Sequence, residues 1–373
     1  MKRIGLVLLL LPVLAQAAAP QPPAIAGRAW VVGDHASGQV LLAQKPDERV
    51  EPASLTKLMS AYIVFQALRD RKLALDQQVN VSEHARRAPG SRMFVQPRKP
   101  VSVDELIRGM VVQSGNDACI ALAEAAAGGE EAFVQLMNRE AARIGMKNTK
   151  FMNATGLPDP QHYSTAQDLY LLAGTLIRDF PKEYGQYYSQ REFRYNDITQ
   201  ANRNRLLWLD PSVDGVKTGH TEAAGYCLIA SSNRSGRRLL SVLLGATSEA
   251  TRAQDSQKLL NWGFQFFDSV KLHPANQPVK AIEVWKGASA EVKAGFRSDV
   301  IVTVPKGEAE KLKAELLTQQ PLLAPVAQGQ RVGTLRVTHD GKPVGEYPVV
   351  ALETVGVAGL FGRAWDTLRL WVK

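Results

Sequence analysis

Nowhere in its 373 residues does the chain carry an apolar run long enough to cross a bilayer. Cysteine is nearly absent. Cys119 and Cys227 are the only two, which excludes the disulfide frameworks that small secreted domains depend on. Cys119 falls in a helix-like run and Cys227 in a strand-like one, so both are expected as buried free thiols. Acidic residues are outnumbered, 36 against 45 Lys and Arg, for a formal charge of +9. That excess suits an anionic surface or polymer, but no nucleic-acid motif accompanies it, so nucleic acid is not an expected partner. No cofactor fingerprint or metal-ligand cluster is evident, and none is expected. The remaining composition is that of an ordinary globular protein.

What is present begins with an address. Met1-Lys2-Arg3 is a positive start, Ile4 to Leu14 is nearly all apolar, and Ala15-Gln16-Ala17 offers small residues at a cleavage site. The pattern predicts a secretory signal over residues 1–17, with Ala19 as the alternative cut. About 355 residues then remain, enough for two domains. Removing Lys2 and Arg3 takes the charge from +9 to +7.

Three short motifs carry the chemistry. Pro52-Ala53-Ser54-Leu55-Thr56-Lys57 opens an apolar helix predicted over Ala53 to Leu68 and expected to be central. Residues three apart share a helix face, so the Ser54 hydroxyl and the Lys57 amine can meet. A serine needs a base to become a nucleophile, and a lysine serves once burial or a second cation lowers its pKa. The unpaired N–H groups at a helix start suit a developing oxyanion. Alone the pattern is weak, since about one or two Ser-x-x-Lys matches arise by chance in such a chain. The second motif, Gln113-Ser114-Gly115-Asn116, lies at a hinge between helices predicted over Asp104 to Val112 and Ala118 to Ala127. There Ser114 can pass protons, and Asn116 can either hold a substrate amide or orient Lys57. The third, Lys217-Thr218-Gly219-His220, sits on a strand followed by strands at Gly225 to Ala230 and Leu239 to Leu244, where Gly219 lets a ligand approach the backbone. The three occur in this order, separated by about 60 and 100 residues. Together they form a recognised signature.

PASLTKLM, QSGNDACIALAE and DGVKTGHTEAAGY, with FMNATGLPDPQHYSTAQDL between the last two, resemble the D-alanyl-D-alanine carboxypeptidases, the low-molecular-mass penicillin-binding proteins of the bacterial periplasm. The resemblance implies a serine DD-peptidase/β-lactamase-like α/β (α+β) domain with a central antiparallel sheet flanked by helices, over residues 24–270. It makes Ser54 the acylated nucleophile and Lys57 its base. Ser114 and Asn116 are the second motif, and Lys217 depresses the pKa of Lys57. The Ser54 and His220 N–H groups form the oxyanion hole, and Arg203 works with Thr218 on the terminal carboxylate, beside Gly219. The implied substrates are peptidoglycan pentapeptide stems, with β-lactams as covalent inhibitors. Class A β-lactamases share the motifs, but they use a glutamate that the 153–168 segment lacks; Asp159 and Asp168 are its only carboxylates. A muropeptide DD-endopeptidase and a non-catalytic wall-binding module are the further alternatives.

Beyond a boundary at His273 to Pro278, alternating segments predict a small, mostly β domain over 275–355. It includes a hairpin across Asp340-Gly341 and one helical stretch near Ala309 to Leu317. Leu360, Phe361, Ala364, Trp365, Leu368, Trp371 and Val372 fall on one helical face. Residues 358–373 are therefore expected to lie in a membrane interface, as the resemblance also implies. The expected location is the periplasm, peripherally attached to the outer face of the inner membrane.

Overall fold

The computed structural model describes residues 21–96, 98–360 and 366. The expected signal segment lies outside the described residues, as does the expected terminal helix apart from its first residues and Asp366.

The chain opens with a hairpin, β1 (Ala29–Asp34) and β2 (Val40–Gln44), and passes through a 3-10 turn, Ala53–Thr56, into α1 (Lys57–Arg69). A helical block follows: α2 (Val103–Val112), α3 (Asn116–Ala127), α4 (Glu130–Ile144) and α5 (Ala166–Asp179). A small hairpin, β3 (Glu192–Tyr195) with β4 (Ile198–Ala201), precedes three longer strands. These are β5 (Val213–Thr221), β6 (Gly225–Arg234) and β7 (Arg237–Ala246), and α6 (Glu249–Phe266) crosses behind them. The antiparallel order is β2-β1-β7-β6-β5, with helices on its faces, as the sequence implies.

All six residues of β1 are buried, because it is an interior strand covered by helices. α1 is buried along nearly its whole length, from Leu58 through Phe65. A helix apolar on every face belongs in the middle of a domain, and this one packs against α3, α4 and α5. The expected helix from Ala53 is split, since its first four residues form the tighter 3-10 turn. α2 begins at a capping box in which Ser102 and Glu105 satisfy each other's backbone N–H groups. Cys119 and Cys227 are buried free thiols.

The C-terminal region is β-rich with its own core around Val292, Val302, Val332, Val337 and Val349. β8 (Phe267–His273) continues directly from α6 and pairs with β11 (Val300–Pro305), after β9 (Pro278–Trp285) and β10 (Glu291–Gly295). β12 (Leu312–Thr318), β13 (Leu322–Leu323), β14 (Arg331–His339) and β15 (Lys342–Ala351) complete a six-stranded sheet of order β12-β14-β15-β10-β9-β13. The turn at Asp340-Gly341 holds both residues at positive φ, 49° and 77°, as a tight hairpin requires. One expectation fails here. Ala309 to Leu317 is not a helix but a single 3-10 turn, Ala309–Lys311, followed by β12, whose Leu312 to Thr318 pair with His339 to Gly333 of β14. Pairing with a neighbouring strand overrides a modest helical propensity.

The two regions are joined by part-buried polar contacts. Asp34, fully buried at the end of β1, accepts from Arg237 Nε at 3.0 Å, Ser269 Oγ at 2.5 Å and the Ala36 N–H at 2.9 Å. Beside it, Gln39 exchanges two hydrogen bonds with the Thr303 backbone, and Ser37 Oγ lies 2.7 Å from Thr303 Oγ1.

Candidate active site

Ser54 is carried by the 3-10 turn, whose Ala53 is held at φ +47°. The turn packs against β5, the edge strand of the sheet. A Cβ on Gly219 would lie 3.1 Å from the Pro52 carbonyl and 3.3 Å from the Ala53 Cβ. The close approach that Gly219 permits is therefore to the serine's own turn, not only to a ligand as the sequence suggested. Gly156 does the same from the other side, because a Cβ there would run into the Ala53 carbonyl.

Lys57 is 2 % exposed and spends all three of its protons. Its Nζ donates to Ser54 Oγ at 3.1 Å, Asn116 Oδ1 at 2.7 Å and the Thr155 carbonyl at 2.6 Å. The last two partners have no proton to give in return. A neutral amine keeps two N–H bonds and one lone pair. With the N–H bonds on Asn116 and Thr155, the lone pair faces Ser54 Oγ. Burial lowers the Lys57 pKa to about 8, and the Arg203 guanidinium adds to that effect against the opposing pull of Cys119 and Asp117. Burial first and the Lys57 ammonium second hold Lys217 well below the usual lysine range, and a repulsion of that kind between two buried ammonium groups disfavours the charged form of both.

The hinge supplies the second side. Asn116 Nδ2 donates to the Pro89 carbonyl at 2.6 Å, which turns Oδ1 toward Lys57. Of its two suggested roles, orienting Lys57 is the one this geometry performs. Ser114 sits at φ +66°, a costly conformation for a non-glycine residue, and accepts a hydrogen bond from Lys217 Nζ at 2.9 Å. Lys217 also donates to the Thr218 carbonyl at 2.9 Å. Ser54, Ser114, Thr218, Gly219, His220 and Arg203 all line one cavity of about 190 Å³, with Lys57, Asn116 and Lys217 buried around it.

Several groups were not visible in the motifs. The Thr155 carbonyl leaves no side-chain signal. It is aimed by Asn153, whose Oδ1 accepts from the Thr155, Gly156 and Leu157 N–H groups at 3.2, 2.7 and 3.1 Å. Arg252, buried near the start of α6, lines the cavity and donates to the Arg203 carbonyl at 3.2 Å. A lone arginine among helix formers gives no hint of that. Asp117 did carry a signal, being an acid directly after the hinge asparagine. It is 1 % exposed and accepts from the Met93, Phe94, Val95 and Ala118 N–H groups, at 2.9, 2.9, 3.3 and 2.9 Å. The 86–100 loop is thereby fastened beside Ser91, which lines the cavity. Asp168, by contrast, is buried away from the cavity, accepting from Asn148 N and Thr149 Oγ1, and Asp159 accepts from Gln161 N.

A serine hydroxyl hydrogen-bonded to a buried lysine, in a cation-rich cavity on a sheet edge, is the arrangement of groups that serine acyl-transfer chemistry requires. Residues 16–248 match the D-alanyl-D-alanine carboxypeptidase family, and residues 267–357 match the C-terminal domain of penicillin-binding protein 5. The chain belongs to this carboxypeptidase family. It is 43 % identical to the D-alanyl-D-alanine carboxypeptidase DacC of Escherichia coli (strain K12), covering 94 % of this chain and 89 % of that one. Penicillin-binding protein 5 from Haemophilus influenzae superposes with a TM-score of 0.85 at 40 % identity, covering 91 % of this chain and all of that one. Penicillin-binding protein D2 from Listeria monocytogenes, solved in its ampicillin-bound form, matches 65 % of this chain and all of its own at 31 % identity and a TM-score of 0.60.

Proposed function

We propose that the chain removes the terminal D-alanine from peptidoglycan pentapeptide stems through an acyl-enzyme on Ser54. The observation that carries this reading is the hydrogen-bond set of Lys57, which leaves its lone pair only Ser54 to face. Ser54 Oγ attacks the carbonyl carbon of the penultimate D-alanine while its proton passes to Lys57 Nζ. The Ser54 and His220 N–H groups receive the oxyanion. As the tetrahedral intermediate collapses, the C–N bond breaks. The leaving nitrogen takes a proton relayed through Ser114, and D-alanine departs. Water then opens the ester with Lys57 again as base. Arg203 and Thr218, with Arg252 behind them, suit the free carboxylate that a carboxypeptidase must hold. A β-lactam undergoes the same attack, but its leaving nitrogen stays tethered by the opened ring, so the adduct persists.

The β-lactamase alternative is disfavoured because the carboxylates of the 153–168 segment are committed to backbone and hydroxyl donors. Residues 1–17 as a secretory signal and residues 358–373 as an interfacial anchor put the enzyme in the periplasm, on the outer face of the inner membrane. The +7 charge without Lys2 and Arg3, and the amphipathic pattern after Leu360, support that location. Deleting 360–373 should move the protein to the soluble fraction with D-alanine release intact; unchanged fractionation would remove the anchor.

The decisive test incubates the protein and Ser54→Ala with a peptide ending in D-Ala-D-Ala and, in parallel, with a labelled penicillin. Release and labelling should both vanish in Ser54→Ala. Label that is lost within seconds without D-alanine release would indicate a β-lactamase instead.

A further inference from the structure

The catalytic cavity has one acid in its wall. Among the described residues that line it, Glu249 is the only carboxylate, against the guanidinium groups of Arg203 and Arg252. Lys57 and Lys217 lie behind that wall, turned to Asn116, Thr155, Ser114 and Thr218, and burial lowers the pKa of both. Glu249 stands in the first turn of α6, 53 % exposed, with Oε1 3.5 Å from Arg252 Nη2. The two form an ion pair without a hydrogen bond, because that nitrogen donates to the Arg203 carbonyl at 3.2 Å.

A run of contacts places this acid on one side of the cavity. The His220 ring lies 4.1 Å from the Tyr226 ring, the Arg252 guanidinium lies 5.7 Å from the Tyr226 ring centre, and Glu249 follows. All four line the cavity. Glu249 therefore belongs to the side that offers Arg203, Arg252 and Thr218 to the carboxylate of the departing residue. The cavity measures about 190 Å³, room for about six waters, which a departing D-alanine fills. A longer side chain on that residue has to leave through the mouth, where the half-exposed Glu249 stands.

The charges of this wall are balanced only when Glu249 is counted. With substrate bound, two guanidinium groups face two carboxylates, one from the substrate and one from Glu249. A further negative charge on the departing residue finds no cation left to meet and is repelled by Glu249, whereas a positive one is attracted to it.

We propose that Glu249 is a specificity-determining residue, which makes the cavity accept a departing D-amino acid whose side chain is neutral or carries an ammonium group, and disfavour one whose side chain is a carboxylate. Without the Glu249 charge, the surplus positive charge of Arg203 and Arg252 reverses that preference. A residue that only braced Arg252 would affect every substrate alike, since all carry the same terminal carboxylate. The inference rests on the carboxypeptidase reading and adds to it which terminal residues are released.

The test measures release of the terminal residue by the full chain from four peptides that share every residue but the last, which is D-alanine, D-ornithine, D-glutamine or D-glutamate. D-Ornithine and D-glutamate are similar in reach and opposite in charge, and D-glutamine has the shape of D-glutamate without its charge. In the unaltered chain kcat/KM for the D-ornithine peptide should exceed that for the D-glutamate peptide by about fivefold, with D-glutamine between them. Glu249→Gln should reverse the order, and Glu249→Asp, which keeps the charge, should retain it. Because the readout is a ratio within one enzyme, a general loss of folding or activity cancels. Equal turnover of the D-ornithine and D-glutamate peptides by the unaltered chain, a ratio that Glu249→Gln leaves untouched, or release of D-alanine alone would overturn the role of Glu249 while leaving the carboxypeptidase standing. No release from the D-alanine peptide would overturn the carboxypeptidase reading and this inference with it.

Discussion

The two halves of the molecule treat buried polarity in opposite ways. The catalytic half seals Lys57, Lys217, Asp117, Asn116, Ser114, Asp168 and Arg252 away from water. Among the described residues beyond Phe266, Thr303 alone is counted as a buried polar residue, and it faces the catalytic half through Ser37 and Gln39. Burying a charge costs several kcal/mol unless it is fully partnered, so a fold concentrates such groups only where their altered chemistry has a use. The β-rich half, with a plain core of valines, gives up nothing of that kind.

That contrast can be tested by substitution, beginning with the largest effect. Lys57→Met removes the base and should slow acylation by labelled penicillin by about 10³-fold, with the protein still folded by circular dichroism. Acylation that survives would mean that another group takes the serine's proton. Asp117→Asn halves the number of strong acceptors for four backbone donors. It should cost about 2–3 kcal/mol, read as a lowered melting temperature, and slow acylation as the 86–100 loop loosens.

A pH profile is subtler. Lys57 must be neutral to act, and its pKa is lowered to about 8. Below that value most of the enzyme holds an ammonium there, so acylation should rise about tenfold per pH unit toward 8 and flatten above it. A profile flat from pH 6 to 9 would contradict the assignment of Lys57 as base. The smallest effect belongs to the other half: Thr303→Val should cost about 1 kcal/mol and leave D-alanine release unchanged. A fall in release would show that the junction reaches the site.

The same contrast explains what could be read from the sequence. Ser54 and Lys57 were legible because both lie within one turn of chain, where spacing alone dictates proximity. The strands around Lys217 and the Asp340-Gly341 hairpin were legible because alternation and turn chemistry are local too. Thr155, Arg252 and the rear of Asn116 were not, since what matters there is a carbonyl or a guanidinium brought in from a distant segment. The stretch from Ala309 misled for a related reason. Its identity as a strand comes from His339 to Gly333 of β14, not from its own residues.

The junction built on Asp34 has a mechanical consequence. With its carboxylate anchored to Arg237 and Ser269, and Gln39 clamped to Thr303, the β-rich half cannot swivel freely beneath the catalytic half. Under the anchoring proposed above, a stiff joint would make that half a spacer of set height, and which layer of a polymer mesh the cavity reaches would become a matter of length rather than of affinity.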